Sequence, residues 1–163
     1  MIGAALAPGR PATRLYARFA TFDAAEEAAL AKCQDGDYDG ALALFEEALT
    51  LPGDGYDVRR VSAKTSPING AVVPRDLEEV RFASLSQRQT TFYNMACVYA
   101  KKGDEVEALE ALEKALSLGF DDYDLITQEE DFESIKQDAG KLIDQYKPRS
   151  WVDALFFDKL KRK

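Results

Sequence analysis

Two thiols and several clusters of carboxylates are the side chains in this 163-residue sequence whose type and spacing suggest chemistry. The acids fall at Asp35 and Asp37, at Glu46-Glu47, at Asp121-Asp122-x-Asp124 and at Glu129-Glu130-Asp131. Paired carboxylates do acid–base work only where burial and placement drive their pKa values apart. These read as turn and helix-start residues, where solubility and the helix dipole explain them. A calcium loop needs acids at alternating positions, a central Gly and a closing Glu, and neither Asp-rich cluster has that order. Cys33 and Cys97 stand 64 positions apart, so they form no Cys-x-x-Cys redox or metal motif. Histidine is absent, which removes imidazole bases and most zinc sites. No phosphate loop, nucleophile elbow or dinucleotide fingerprint appears. The sequence therefore predicts no catalytic residue, no metal and no cofactor, and the two cysteines read as packing or groove residues.

What remains is the scaffold, and its charge is uneven. The chain has 21 bases and 29 acids, a net charge of -8, which disfavours nucleic acid as a partner. Residues 1–20 hold Arg10, Arg14 and Arg18 and no acid, and residues 147–163 hold six bases against two acids, so the ends carry +3 and +4 around a body of -15. The acid-free, Arg-bearing first twenty residues read either as the tail of an organellar transit sequence or as a disordered basic arm. No apolar run approaches the roughly 18 residues of a membrane-spanning helix.

An internal repeat organises the body. Shifting the sequence by 67 positions aligns 29–51 with 96–118, and nine of the 23 pairs are identical, among them Ala29/Ala96, Gly36/Gly103, Asp37/Asp104, Ala41/Ala108 and Ala48/Ala115. Each copy reads as a helix, a Gly-Asp turn, a second helix and a stop. In the first copy a helix over 24–34 breaks at Asp35-Gly36-Asp37. Asp39 is the expected N-cap of the next helix, and Ala41, Leu42, Phe45, Ala48 and Leu49 recur at spacings of three and four. In the second copy Phe92, Met95, Ala96 and Tyr99 precede Lys102-Gly103-Asp104, and Ala108, Leu109, Leu112, Ala115 and Leu116 follow it. Small residues at Ala29, Ala41, Ala96 and Ala108 permit close helix packing.

Ala41-x3-Phe45-x2-Ala48, and Ala108-x3-Leu112-x2-Ala115 after Tyr93-Asn94-Met95-Ala96-Cys97-x-Tyr99, resemble tetratricopeptide repeats (TPRs), whose unit is about 34 residues. The resemblance implies an all-α, TPR-like superhelix of two clear helical hairpins plus a degenerate third over 121–146 that caps the stack. The excess spacing is then a long irregular insertion at 53–85, with Asn69-Gly70 as a candidate hairpin turn. The implied organisation is a basic segment 1–20, a TPR domain over 21–146 and a basic amphipathic segment over 147–163.

Leu51-Pro52-Gly53-Asp54-Gly55, the insertion, Tyr93-Asn94-Met95-Ala96-Cys97, Gly119-Phe120-Asp121-Asp122-Tyr123, Asp131-Phe132 and Ala154-Leu155-Phe156-Phe157 occur in an order similar to plastid TPR proteins of the low-photosystem-II-accumulation type. That similarity implies a non-enzymatic protein–protein adaptor in the plastid, in the stroma or at the thylakoid, that binds photosystem subunits or assembly factors. The alternative function is a permanent structural or linker subunit of a large complex, and the alternative location is the cytoplasm.

In TPR stacks the first helix of each pair lines a concave groove. The residues expected on that face are Glu26, Leu30 and Cys33 in the first pair and Tyr93, Asn94, Cys97 and Lys101 in the second. Where carboxylate-clamp members of the family carry Lys and Asn in the first repeat, this chain has Glu26 and Leu30, a wrong-sign contact for an anionic tail. In the insertion, Tyr56, Arg59, Arg60 and Phe82 are candidate partner contacts. At the C-terminal end Trp151, Leu155 and Phe156 are candidates for docking on a partner, on the core or on an anionic membrane surface.

Overall fold

The computed structural model describes residues 19–65 and 72–148. Helices α1 (Phe22–Gln34), α2 (Tyr38–Ala48), α3 (Leu85–Lys102), α4 (Glu105–Ser117), α5 (Tyr123–Gln128) and α6 (Lys136–Tyr146) make up most of it, with a 3-10 turn over Glu130–Ile135 between the last two. Helix α1 packs on α2 and α3 on α4; α2 then meets α3, α4 meets α6, and α3 meets the 3-10 turn. The fold is all-α and TPR-like, with one interruption described below.

The repeated Gly-Asp turn has one physical cause in both copies. Gly36 and Gly103 take φ of 76° and 83°, a left-handed backbone that favours glycine. The reversal lets the next two amides close the helix. Gly36 N–H donates to the Cys33 carbonyl and Asp37 N–H to that of Lys32, and Gly103 and Asp104 N–H donate likewise to Ala100 and Tyr99. Because the turn is this tight, α2 starts earlier than expected. Asp37, not Asp39, is the N-cap, its Oδ1 accepting from Gly40 N–H at 3.0 Å. Asp39 sits in the first turn instead, and its carboxylate receives Lys102 Nζ of α3 at 2.7 Å, a tie between the two repeats.

The core follows from the alanines. Ala29, Ala41, Ala96 and Ala108 are all fully buried in one cluster, with Phe45, Leu112 and Phe132 as its large members. The segment after α4 contributes Ile126, Phe132, Ile135 and Ala139 to the same cluster. There the 3-10 turn packs on α3 and α4, and α6 packs on α4 and α5.

The insertion is regular where irregular chain was expected. Strands β1 (Gly55–Thr65) and β2 (Val72–Phe82) pair antiparallel from Gly55↔Phe82 to Thr65↔Val72, with register shifts around Ser62. Valines on both strands favour extended backbone, and Pro74 pairs with Ala63 beside one of the shifts, where a missing donor does least harm. The expected Asn69-Gly70 turn lies outside the described residues. Among the described residues, the hairpin's main packing is between its own two strands.

Gln87 fixes where the hairpin leaves the helices. Its Oε1 accepts from Ser84 N–H and from Asp54 N–H, both at 2.9 Å, while its Nε2 donates to Asp23 Oδ1 of α1 at 3.0 Å. Ser84 Oγ accepts from Gln87 N–H in return, which completes a capping box at the start of α3. A side chain at Gly53 would collide with the Gln87 amide oxygen, so that glycine permits the approach.

Two stability changes follow. Ala108→Trp should overpack the α3–α4 contact and cost about 3 kcal/mol or more, read as a lower urea midpoint. Gln87→Ala leaves the Ser84 and Asp54 amides without their acceptor and should cost about 1–2 kcal/mol in the same measurement. Unchanged midpoints would contradict this packing and this junction.

Candidate functional site

Helix α3 has 18 residues, and among those outside its buried set of Thr91, Tyr93, Met95, Ala96, Val98 and Ala100, the residues Asn94, Cys97 and Lys101 align on one side at spacings of three and four. Asn94 and Cys97 are half-buried and Lys101 is exposed. On α1, Glu26, Leu30 and Cys33 form a second stripe at spacings of four and three. Leu30 is exposed and the other two are half-buried. The Lys101 ammonium is near enough to act on one thiol of each stripe, Cys33 of α1 and Cys97 of α3. The third wall is the start of the 3-10 turn. There Asp131 Oδ2 lies 3.0 Å from Lys101 Nζ, and Glu129 Oε2 accepts a 2.8 Å hydrogen bond from the Tyr93 hydroxyl.

Tyr93 is the expected groove residue that the structure moves. It is buried, stacked on Phe120 with centroids 4.9 Å apart and planes 9° apart, and edge-on to Phe132 at 5.9 Å. The chain after α4 folds across its ring and leaves it as the wall that holds Glu129 in place. Glu26, Leu30 and Cys33 lie along α1, and Asn94, Cys97 and Lys101 along α3, none of them fully buried. In the insertion, Tyr56 and Phe82 are exposed, Tyr56 with the Arg81 guanidinium 6.0 Å from its ring centroid and Phe82 lying across Gly55. Arg59 and Arg60 stand in register with Glu78 and Leu77, and their side chains lie outside the described residues. Trp151, Leu155 and Phe156 lie outside them altogether.

Glu129 and Asp131 are what sequence reasoning missed as site residues. The acids of 129–131 read as a helix-start cluster, and nothing in the local pattern shows that tertiary packing carries them to Cys97. In the structure the donor atoms of Cys97, Glu129 and Asp131 all lie within 4.8 Å of one another. That arrangement suits a cation, and the ammonium of Lys101 stands beside it. Burial, then the Glu129 charge, push the Cys97 thiol up to about 12, so at neutral pH it is a protonated, unreactive group. Cys33 is raised as well, mainly by desolvation. Glu26 is raised by desolvation and by neighbouring Asp23. It has no hydrogen bond or ion pair among the described residues. The face thus combines acids, two neutral thiols, an amide and one exposed leucine. Among its described residues both thiols are raised above their ordinary value and neither is activated.

These helix pairs define a helical-repeat scaffold. Residues 90–120, which span most of α3 and all of α4, match the tetratricopeptide repeat family model. No curated protein and no solved structure matches the chain. Tetratricopeptide repeats are in general non-enzymatic modules for protein–protein interaction. No described helix is long and apolar enough to cross a membrane.

The Cys97 thiol makes alkaline pH a test of the site. The folded chain holds this proton more tightly than an unfolded one, whose thiol titrates near 9.0. The resulting stability is complete below pH 9 and is lost as pH climbs toward about 12. Thermal melts of the wild type should therefore fall across that alkaline range, and Cys97→Ser should fall less steeply. Parallel curves for the two proteins would show that the thiol is not buried beside Glu129.

Proposed function

We propose that this chain is a plastid tetratricopeptide protein that binds photosystem subunits or their assembly factors as the complex is built. Contacts would run through the face formed by α1, α3 and the 3-10 turn, with the exposed hairpin residues Tyr56 and Phe82 as a second contact. The observation that carries the binding role is the match of residues 90–120 to a peptide-binding repeat whose first helix leaves Asn94, Cys97 and Lys101 on an accessible stripe. The plastid reading is supported by the order of sequence motifs across 24–163 and by the acid-free, Arg-bearing residues 1–20.

Tagged full-length protein recovered from chloroplasts should bring down photosystem assembly intermediates, and Asn94→Ala with Glu129→Lys should abolish the recovery without changing the circular dichroism. A fluorescent fusion should localise to the plastid. Recovery at one copy per mature complex would instead make the chain a permanent subunit. A cytosolic fusion that captures no photosystem protein would end the proposal.

A further inference from the structure

Cys97 is separated in the sequence from Glu129 and Asp131 by the whole of α4 and α5, yet packing brings the three side chains together. One sulfur and two carboxylate groups offer donor atoms that all lie within 4.8 Å of one another, and all three residues are half-buried. Donor atoms around a tetrahedral metal ion lie about 3.3–3.8 Å apart, so side-chain movements of about 1 Å close the set.

The donors are also held from behind. Tyr93 is locked by stacking on Phe120 and by its edge contact with Phe132, and its hydroxyl donates to Glu129 Oε2 at 2.8 Å. The other oxygen of that carboxylate remains for a metal, and a ligand oriented by an outer hydrogen bond is the usual construction of such sites. Asp131 is held by a cation, the Lys101 ammonium, at 3.0 Å from Oδ2. That ammonium marks the point where positive charge is stabilised. It sits on an exposed, flexible stem, free to turn to solvent when a stronger cation takes its place.

Donor chemistry selects the ion. Calcium takes about six to eight oxygens, more than two carboxylates supply, and magnesium keeps to oxygen and water. Sulfur beside carboxylate favours zinc, which accepts Cys, Asp and Glu in one tetrahedral shell and leaves a fourth position for water. We propose that Cys97, Glu129 and Asp131 bind one zinc ion, and that this ion clamps the 3-10 turn to α3. Binding forms one zinc–sulfur and two zinc–oxygen bonds. The Cys97 thiol gives its proton to the solvent, and the Lys101 ammonium leaves Asp131 with its own charge intact. Two positive charges arrive while one proton and one ammonium depart, so the charge of the site is unchanged and no carboxylate is stranded. The ion acts within the chain, so the proposal does not rest on the partner named above.

Cobalt(II) reads this site directly, because a thiolate ligand adds a charge-transfer absorption in the near ultraviolet that oxygen ligands do not give. The reduced, metal-free 163-residue chain should bind one cobalt ion with that absorption, and one equivalent of zinc should abolish it. Zinc should raise the thermal midpoint, and magnesium or calcium at the same concentration should not. Cys97→Ser should lose the absorption, while Cys33→Ser should keep it. The chain has two cysteines, so if Cys97→Ser fails to fold, the absorption of Cys33→Ser alone identifies the ligand. Glu129→Gln with Asp131→Asn should weaken zinc by more than about tenfold, and Lys101→Met, which removes the competing ammonium, should tighten it several-fold. No cobalt–thiolate absorption in the wild type would overturn the proposal, and so would absorption that vanishes with Cys33→Ser. Zinc affinity indifferent to the acid variants, or stabilisation that magnesium reproduces, would mean an adventitious ion only and overturn it as well.

Discussion

Helix α3 is enclosed from several directions at once, and most of the architecture follows from that requirement. It meets α4, α2 and the 3-10 turn, so little of its circumference is left for solvent. Alanines at 96 and 100, facing a neighbourhood built with Ala108, Ala111 and Ala115, let backbones come close where larger side chains would hold them apart. The surface that remains is a stripe fixed by helical geometry. Positions 94, 97 and 101 fall on one side of that remainder, where the 3-10 turn reaches Cys97 and Lys101 through Glu129 and Asp131. The binding face is therefore set by packing, and its chemistry by which residues fall on the leftover positions.

The same enclosure explains how a long insertion is tolerated. Gln87, at the start of α3, joins α1, the residue entering the hairpin and the residue leaving it through a single amide. With both ends held at one point, the strands between them add length without entering the core. A buried patch of Phe22, Ala25, Ala48, Leu51 and Ala83 seals the junction beneath, and the Phe22 amide bonds the Pro52 carbonyl at 2.9 Å. A two-stranded hairpin is marginal by itself, so its pairing depends on this anchored base.

The repeat was legible in the sequence because its signals are local. Gly36 and Gly103 announce a left-handed turn, and the three–four spacing of alanines and leucines announces the faces that pack. The third unit was legible only as a break in that pattern, and its 3-10 turn was not. Asp37 and Asp39 are chemically equal N-caps, and only the tightness of the glycine turn decides between them. Tyr93 lay on the expected groove face, yet Phe120, 27 positions further along, closes over it. The regular pairing of β1 with β2 was hidden because charged residues interrupt the apolar alternation that marks a half-buried strand. Glu129 and Asp131 were visible as acids but not as neighbours of Cys97, since that proximity exists only after the chain folds back over α3.

That fold-back also decides the charge around the α3 stripe. A groove that clamps an anionic tail needs ammonium groups free to turn toward it. Among the described residues of this face the ammonium is Lys101, and Asp131 already holds it at 3.0 Å. Breaking that pair to free the lysine would strand a half-buried carboxylate beside Glu129, so an anionic ligand would meet repulsion from two acids before it gained one contact. Glu26 on the opposite stripe adds to the same field. The departure from the clamp pattern at Glu26 and Leu30 is thus reinforced by residues far along the chain. Together they leave the described residues of α1, α3 and the 3-10 turn at these positions with more carboxylates than ammonium groups.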